Sequence, residues 1–169
     1  MLTPAAAQTL IDYKRWADEL TYASVASLPP GEAHRERPTL FTSIIGALNH
    51  SYVVDLIWRA HLEGRDHGFT SRRMTVHDDV EALAQAQRSC NDWLQGWCRS
   101  QSDASLNEAL AFKFISGEVG QMSRAAIVFH IVNHATYHRG WVSDLFYQVP
   151  AKPPTTDLCV YPGVLTGGF

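Results

Sequence analysis

Three histidines recur at four-residue intervals in the segment HIVNHATYHRGW: His130, His134 and His138. In an α-helix this spacing places the three side chains on one face, one turn apart. Imidazole is the most frequent metal ligand among side chains near neutral pH. A histidine pair at i and i+4 is also the simplest way for one helix to bind a divalent transition metal. The segment therefore predicts a metal site on a long helix near the end of the chain.

One metal ion cannot bind both ends of this column. His130 and His138 are about 12 Å apart along the helix axis, since each residue adds about 1.5 Å, whereas zinc–nitrogen bonds are about 2.0–2.1 Å long. An adjacent pair can bind, and the third ligand should come from another helix. His50 is the best candidate, because it lies in the apolar segment ALNHSYVVDLIW, where an unpaired imidazole would be costly. The proposed site is His50 with His134 and His138, which leaves a fourth position for water or substrate.

Other metal sites fit the sequence poorly. A di-iron bundle needs Glu-x-x-His motifs, and none occurs. A zincin helix reads HExxH, but Ile131 follows His130 here. A c-type haem needs CxxCH, which is also absent. The other histidines lie in or beside polar segments and are expected to be solvated: His34, His61, His67 and His77.

Composition indicates a globular protein and excludes several kinds of partner. The chain has 169 residues, a hydrophobic fraction of 46% and a net charge of −3, which suits one domain with a sizeable core. The longest basic run is Arg72-Arg73, so no nucleic-acid surface is expected. No apolar stretch reaches the roughly 20 residues of a membrane helix, and no signal peptide is visible. Three cysteines without a CxxC pair fit a reducing cytoplasm.

Periodicity and helix-capping residues predict four long helices, over about 4–28, 42–63, 76–100 and 123–148, with a hairpin over about 110–122 and an irregular tail. Four helices of this length indicate a four-helix bundle. Gln87 lies on the apolar seam of the third helix, where it either sets the register or faces solvent. Arg139 is expected to form an ion pair with another helix rather than to bind an anionic substrate.

The chain resembles the DinB/YfiT-like family of metal-binding four-helix bundles over essentially its whole length. The matching segments are the opening YKRWADELTYASVASLP, the second-helix segment FTSIIGALNHSYVVDLIW, the hairpin and HIVNHATYHRG. Family members often have glutamine after the HRG motif, where this chain has Trp141.

The resemblance implies a single all-α domain over residues 1–169, a four-helix bundle with a short β-hairpin before the last helix. It also implies one divalent metal, nickel or zinc, held by three histidines whose positions match His50, His134 and His138. Many members are homodimers, and some are transferases or isomerases that use a low-molecular-weight thiol.

Two classes of function follow as hypotheses. The first is a metal-dependent enzyme whose catalytic residues the sequence does not identify. The resemblance favours thiol-dependent transferase or isomerase chemistry over hydrolysis, and the absence of an obvious carboxylate beside the histidines as a general base points the same way. The second is a non-catalytic, metal-stabilised dimeric binding or stress-response protein, which predicts either a coordination sphere closed by a fourth protein ligand or no accessible cavity.

Overall fold

The computed structural model describes residues 2–165, most of which lie in four long helices. They are α1 (Pro4–Ala26), α2 (Ile44–Leu62), α3 (Val80–Arg99) and α5 (Arg124–Phe146). A short helix, α4 (Asp103–Asn107), and an antiparallel hairpin of β1 (Ala109–Lys113) and β2 (Val119–Ser123) lie between α3 and α5. The predicted all-α four-helix bundle, with a β-hairpin before the last long helix, is confirmed.

Each long helix begins after a residue that caps it. The side chain of the cap accepts a hydrogen bond from the amide three residues further on, which satisfies one of the free N–H groups of the first turn. The four caps are Thr3, Ser43, Asp79 and Ser123. Local sequence is therefore sufficient to start these helices, and α1 adds Pro4 at its first position.

The prediction for the third helix was wrong at its start and incomplete after its end. We expected the helix to begin near Val76, but α3 begins at Val80. The reason is tertiary, because the backbone amides of Val76 and His77 donate hydrogen bonds to the side chain of Asn49 instead of entering a helix. The five-residue α4 was not predicted, and it forms on a capping box between Ser102 and Ser105.

The four long helices bury two apolar clusters. Helix α1 packs against α3 and α5, and α2 also packs against α5 and α3. The first cluster includes Ile11, Leu94 and Ile131, and the second includes Val25, Ile44 and Phe146. The hairpin joins the first cluster, where the Phe112 ring meets the Trp58 ring of α2 at 4.9 Å. Along α1, α2 and α3, polar residues separate members of one cluster from members of the other.

This polar layer is centred on Lys14, which is completely buried. Its ammonium donates to Asp18 at 2.8 Å, to Asp55 at 2.6 Å and to Asn91 at 2.8 Å. Asp18 also accepts from Arg139 at 3.0 Å. The layer therefore joins all four long helices through hydrogen-bonded charges. The expected structural ion pair of Arg139 is confirmed.

The tail is more ordered than predicted. A 3₁₀ turn (Leu158–Val160) leads to α6 (Pro162–Leu165), and the Tyr161 ring lies 5.4 Å from that of Trp16 on α1. Residues 1 and 166–169 of the predicted 1–169 domain lie outside the described residues, so the domain bounds stay a prediction. Between residues 2 and 165, no helix combines the length and apolar character needed to cross a bilayer.

Candidate metal centre

The three histidines of the proposed site lie together where α2 packs against α5. His50 comes from α2, whereas His134 and His138 lie one turn apart on α5. One ring nitrogen of each forms a group in which all three atoms lie within 4.8 Å of one another. Among residues 2–165, no carboxylate or thiol belongs to this group. Three convergent imidazole nitrogens are a donor set suited to zinc, nickel, copper or iron.

The hydrogen bond of His50 leaves one of its ring nitrogens free for a metal. His50 Nδ1 lies 2.8 Å from the carbonyl oxygen of Arg72. Because a carbonyl only accepts hydrogen bonds, Nδ1 carries the proton in this arrangement. Nε2 then presents a lone pair. Metal-binding histidines commonly have their second nitrogen held in this way.

His134 and His138 have unsatisfied ring nitrogens. The Nδ1 atom of each is buried and has no hydrogen-bond partner among the described residues. Buried polar atoms without partners are rare and costly in proteins. Neither Nδ1 is therefore committed to a protein partner among residues 2–165, which leaves both imidazoles available to a ligand.

All three imidazoles are held in the neutral form that metals bind. Burial, reinforced by the neighbouring histidines, lowers the pKa of His134 to about 2. Burial and His50 lower that of His138 to about 4. Burial also lowers the pKa of His50. Near neutral pH a metal ion therefore need not displace a proton from any of them.

An aromatic wall borders the histidines on one side. The Phe41 ring stacks on His50 at 4.5 Å, and Trp141 lies 5.3 Å from Phe41 and 5.6 Å from His138. Gly46 allows the Phe41 backbone to pass close to α2, because a Cβ atom at position 46 would overlap the carbonyl oxygen of Phe41. Thr42 adopts a φ of 62°, the left-handed region that costs energy for a β-branched residue. The tight turn before α2 therefore positions the Phe41 ring of this wall against His50.

Asn49 connects the loop of residues 63–79 to α2, and sequence analysis did not identify it. Its Nδ2 donates to the His77 carbonyl at 2.8 Å, while its Oδ1 accepts from the amides of Val76 and His77. This side chain and the His50–Arg72 hydrogen bond attach the same loop at two points. An asparagine inside the apolar segment ALNHSYV was the available signal, because a buried amide needs partners.

His130 remains outside the group of three. Its ring lies 5.6 Å from that of His134 and 4.9 Å from Trp58. This agrees with the expectation that one metal ion cannot bind both His130 and His138. His61 was expected to be solvated, but it is half-buried and its ring lies 5.4 Å from that of His67.

The two buried carboxylates of the described residues, Asp18 and Asp55, are already paired. Asp55 follows His50 by five residues and binds Lys14 and Gln87. Gln87 is buried, which answers the question that the sequence left open. Asp18 binds Lys14 and Arg139, and these partners lower its pKa although burial opposes them. Neither carboxylate is therefore free to act as a base at the histidine group.

One groove of the described chain lies away from the histidines. Its volume is about 900 Å³, and it runs between α5 and the segment of residues 152–158. Phe129, Asn133 and Gly140 line it, whereas none of the three histidines does. The groove is therefore not the cavity of the candidate metal centre.

Two comparisons with known proteins extend over most of the chain. The sequence model described as the DinB family matches residues 1–164. The chain is also similar to a curated protein named Protein DinB from Bacillus subtilis (strain 168). The two are 24% identical over 159 residues, which cover 90% of this chain and 91% of the relative.

Proposed function

Since the chain belongs to the DinB family, we propose that it binds one divalent transition metal ion through His50, His134 and His138 and acts as a metal-dependent enzyme. Nickel and zinc are the proposed ions, and thiol-dependent transferase or isomerase chemistry is the proposed reaction type. The observation that carries the proposal is the convergence of three neutral imidazole nitrogens within 4.8 Å. A bound ion would supply Lewis acidity and would lower the pKa of a coordinated thiol or water.

The protein side chains have separate roles in this proposal. His134 and His138 bind the ion from one helix, and His50 binds it from the facing helix. The Arg72 carbonyl keeps the His50 proton on Nδ1, so Nε2 remains available. The Phe41 ring stacked on His50 limits the rotation of the imidazole. Three ligands held on two packed helices leave a further coordination position for a substrate.

An external thiol is favoured over water as the nucleophile. Activated water commonly works with a general base, but Asp18 and Asp55 are buried in ion pairs with Lys14. Two of the protein's own thiols are also unsuitable, because burial raises the pKa of Cys90 and Cys98 to about 12. A thiol that enters from solvent and is deprotonated on binding needs neither group.

The first experiment measures metal content. Protein purified without a histidine tag should contain about one nickel or zinc per chain, or should bind one after reconstitution. His134→Ala should lose the ion because the group then retains two ligands. The matched control is His130→Ala, which removes the adjacent histidine on the same helix and should keep the metal. Loss of metal from both variants, or from neither, would contradict the assignment.

The second experiment distinguishes the reactions. Metal-loaded protein is given a low-molecular-weight thiol and 1-chloro-2,4-dinitrobenzene, and thioether formation is followed by absorbance. Metal-dependent transfer above the uncatalysed rate supports the proposal. Ester hydrolysis without thiol transfer would favour the hydrolase alternative. A loaded protein that binds no thiol and catalyses neither reaction would favour the non-catalytic binding or stress-response alternative.

The proposal includes a homodimer in the cytoplasm. Family membership supports the dimer, and α5 exposes Phe129 and Tyr137, with Tyr147 at its end. The three unpaired cysteines, Cys90, Cys98 and Cys159, suit a reducing compartment. Light scattering coupled to gel filtration should give twice the 18.9 kDa chain mass. No nucleic-acid partner and no membrane partner are part of the proposal.

A further inference from the structure

Two arginines lie on the loop that is attached to the histidine group. The Arg72 carbonyl accepts the hydrogen bond from His50 Nδ1 at 2.8 Å. Arg73 is the next residue, and both side chains are exposed. Asn49 attaches the same loop a few residues later, at Val76 and His77. The main chain that bears both guanidinium groups is therefore attached to α2 at two points, one of them His50 itself.

Neither guanidinium has an ion-pair partner in the part of the chain that the structure describes. Most other arginines pair with carboxylates: Arg15, Arg35, Arg37, Arg59, Arg65, Arg124 and Arg139. Asp78 and Asp79 belong to the same interhelical segment, but they form contacts with His34 and the start of α3 instead. The positive charge of Arg72 and Arg73 is thus available to a molecule that enters the site.

The charged side chains that the loop brings near His50 are positive. Burial is the main cause of the lowered pKa of His50, and Arg72 and Arg73 lower it further. Within residues 2–165, no carboxylate is among the main groups that shift the pKa of the three histidines. A divalent ion would add to this positive charge, so the site favours an anionic ligand.

We propose that Arg72 and Arg73 form an anion-binding subsite beside the three histidines, and that the thiol used at this site carries a carboxylate. The inference rests on the proposed function for the thiol, and it adds the chemical class of the molecule. Guanidinium groups bind carboxylates through paired N–H donors. In the proposed complex the sulfur reaches the metal position and the carboxylate reaches the loop arginines.

The test compares two thiols that differ in charge. Cobalt-substituted protein is titrated with 3-mercaptopropionate or with 2-mercaptoethanol, and dissociation constants are read from the metal absorption bands at low ionic strength. Wild type should prefer the carboxylate thiol by about tenfold. The double variant Arg72→Gln/Arg73→Gln should lose this preference. Because it retains the Arg72 main-chain carbonyl, the His50 hydrogen bond and the cobalt content should not change.

The matched control is Arg88→Gln/Arg99→Gln, which removes two exposed arginines of α3 that form no ion pair among the described residues. It should keep the wild-type preference. Raising the salt concentration from 20 mM to 500 mM should weaken the preference in wild type, since both guanidinium groups are exposed to screening. Any difference in metal affinity that comes from the thiols themselves cancels when the ratio of their dissociation constants is compared between proteins.

The outcomes separate this inference from the proposed function. Equal binding of both thiols to wild type, or an unchanged ratio in the loop variant, would overturn the anion subsite and leave thiol binding intact. Binding of neither thiol would overturn the proposed thiol function. In that case acetate is titrated into the cobalt protein. Weaker acetate binding in the loop variant than in the α3 control would then support the subsite, and equal binding would overturn it.

Discussion

At the scale of single residues, the three histidines of the group share a largely buried environment in which their rings lie close together. His134 and His138 have buried Nδ1 atoms without partners, and His50 gives its Nδ1 proton to a main-chain carbonyl. Proximity of the three rings disfavours protonation of any one of them, because each charged imidazolium would repel the next. The same arrangement that suits a metal ion therefore makes the metal-free site sensitive to acid.

We expect the metal-free protein to lose stability as the pH falls from 7 towards 4.5. The unfolded chain binds protons at its histidines near pH 6.5, whereas folded His134 and His138 have pKa values of about 2 and about 4. A pKa that is lower in the folded state means that stability is lost as the pH drops below the unfolded value. Urea unfolding in the presence of EDTA at several pH values measures this dependence.

His134→Gln should make the pH dependence shallower because one of the perturbed imidazoles is removed. His34→Gln is the control, since His34 has a half-exposed side chain away from the group. It should leave the slope as in wild type. Equal slopes for wild type and His134→Gln would contradict the expected neutral state of the buried histidine.

At the scale of elements, the site depends on how the chain enters and leaves α2. The turn before α2 brings Phe41 onto His50, and Gly46 allows its main chain to approach the helix closely. The loop after α2 returns to the same face through Asn49 and the Arg72 carbonyl. Irregular segments on both sides of one helix therefore position the third ligand relative to α5.

Gly46→Ala should destabilise the protein by about 1–3 kcal/mol, because the added methyl group displaces the Phe41 backbone. Metal affinity should also fall, since Phe41 stacks on His50. Gly96→Ala on α3 is the matched control, because its Cβ would meet no atom within 4 Å. It should stabilise the protein by about 0.5–1 kcal/mol. If urea unfolding showed that both variants change the free energy of unfolding in the same direction, this assignment would be contradicted.

At the scale of the whole molecule, the buried charge layer joins the four long helices, two of which carry the histidines of the candidate site. Lys14 lies between Asp18 and Asp55, and Arg139 directly follows the candidate ligand His138. Burial disfavours the charge of Lys14, but the two carboxylates raise its pKa. Charges of this kind must remain matched inside the core, and loss of one leaves its partners uncompensated.

Lys14→Met should therefore lower the free energy of unfolding by about 3–5 kcal/mol near neutral pH. Lys113→Met, at an exposed position of β1, should change it by less than about 0.5 kcal/mol. The difference in the free energy of unfolding between wild type and Lys14→Met should become smaller as the pH falls. In wild type the lowered pKa of Asp18 contributes stability above the ordinary carboxyl pKa, and this contribution is lost as the pH falls. Equal stability of the two variants would show that Lys14 is not needed by the core.

Local sequence was sufficient to predict the long helices, the hairpin and the candidate metal ligands. Capping residues and apolar periodicity act over a few residues, so they predict where α1, α2 and α5 form. The four-residue spacing on α5 places His134 and His138 one turn apart whatever surrounds them. An imidazole in an apolar helix predicted that His50 would need a partner.

Only the tertiary structure decided which groups complete the site. Helix α3 starts later than the sequence predicted because Asn49 binds the preceding loop. No local pattern shows which part of the fold a long loop will contact. The Arg72 carbonyl and the Lys14 charge layer depend on contacts between residues far apart in sequence. Helix formation is a short-range property of the chain, whereas hydrogen-bond partners, protonation and electrostatic potential arise only when separate segments are packed together.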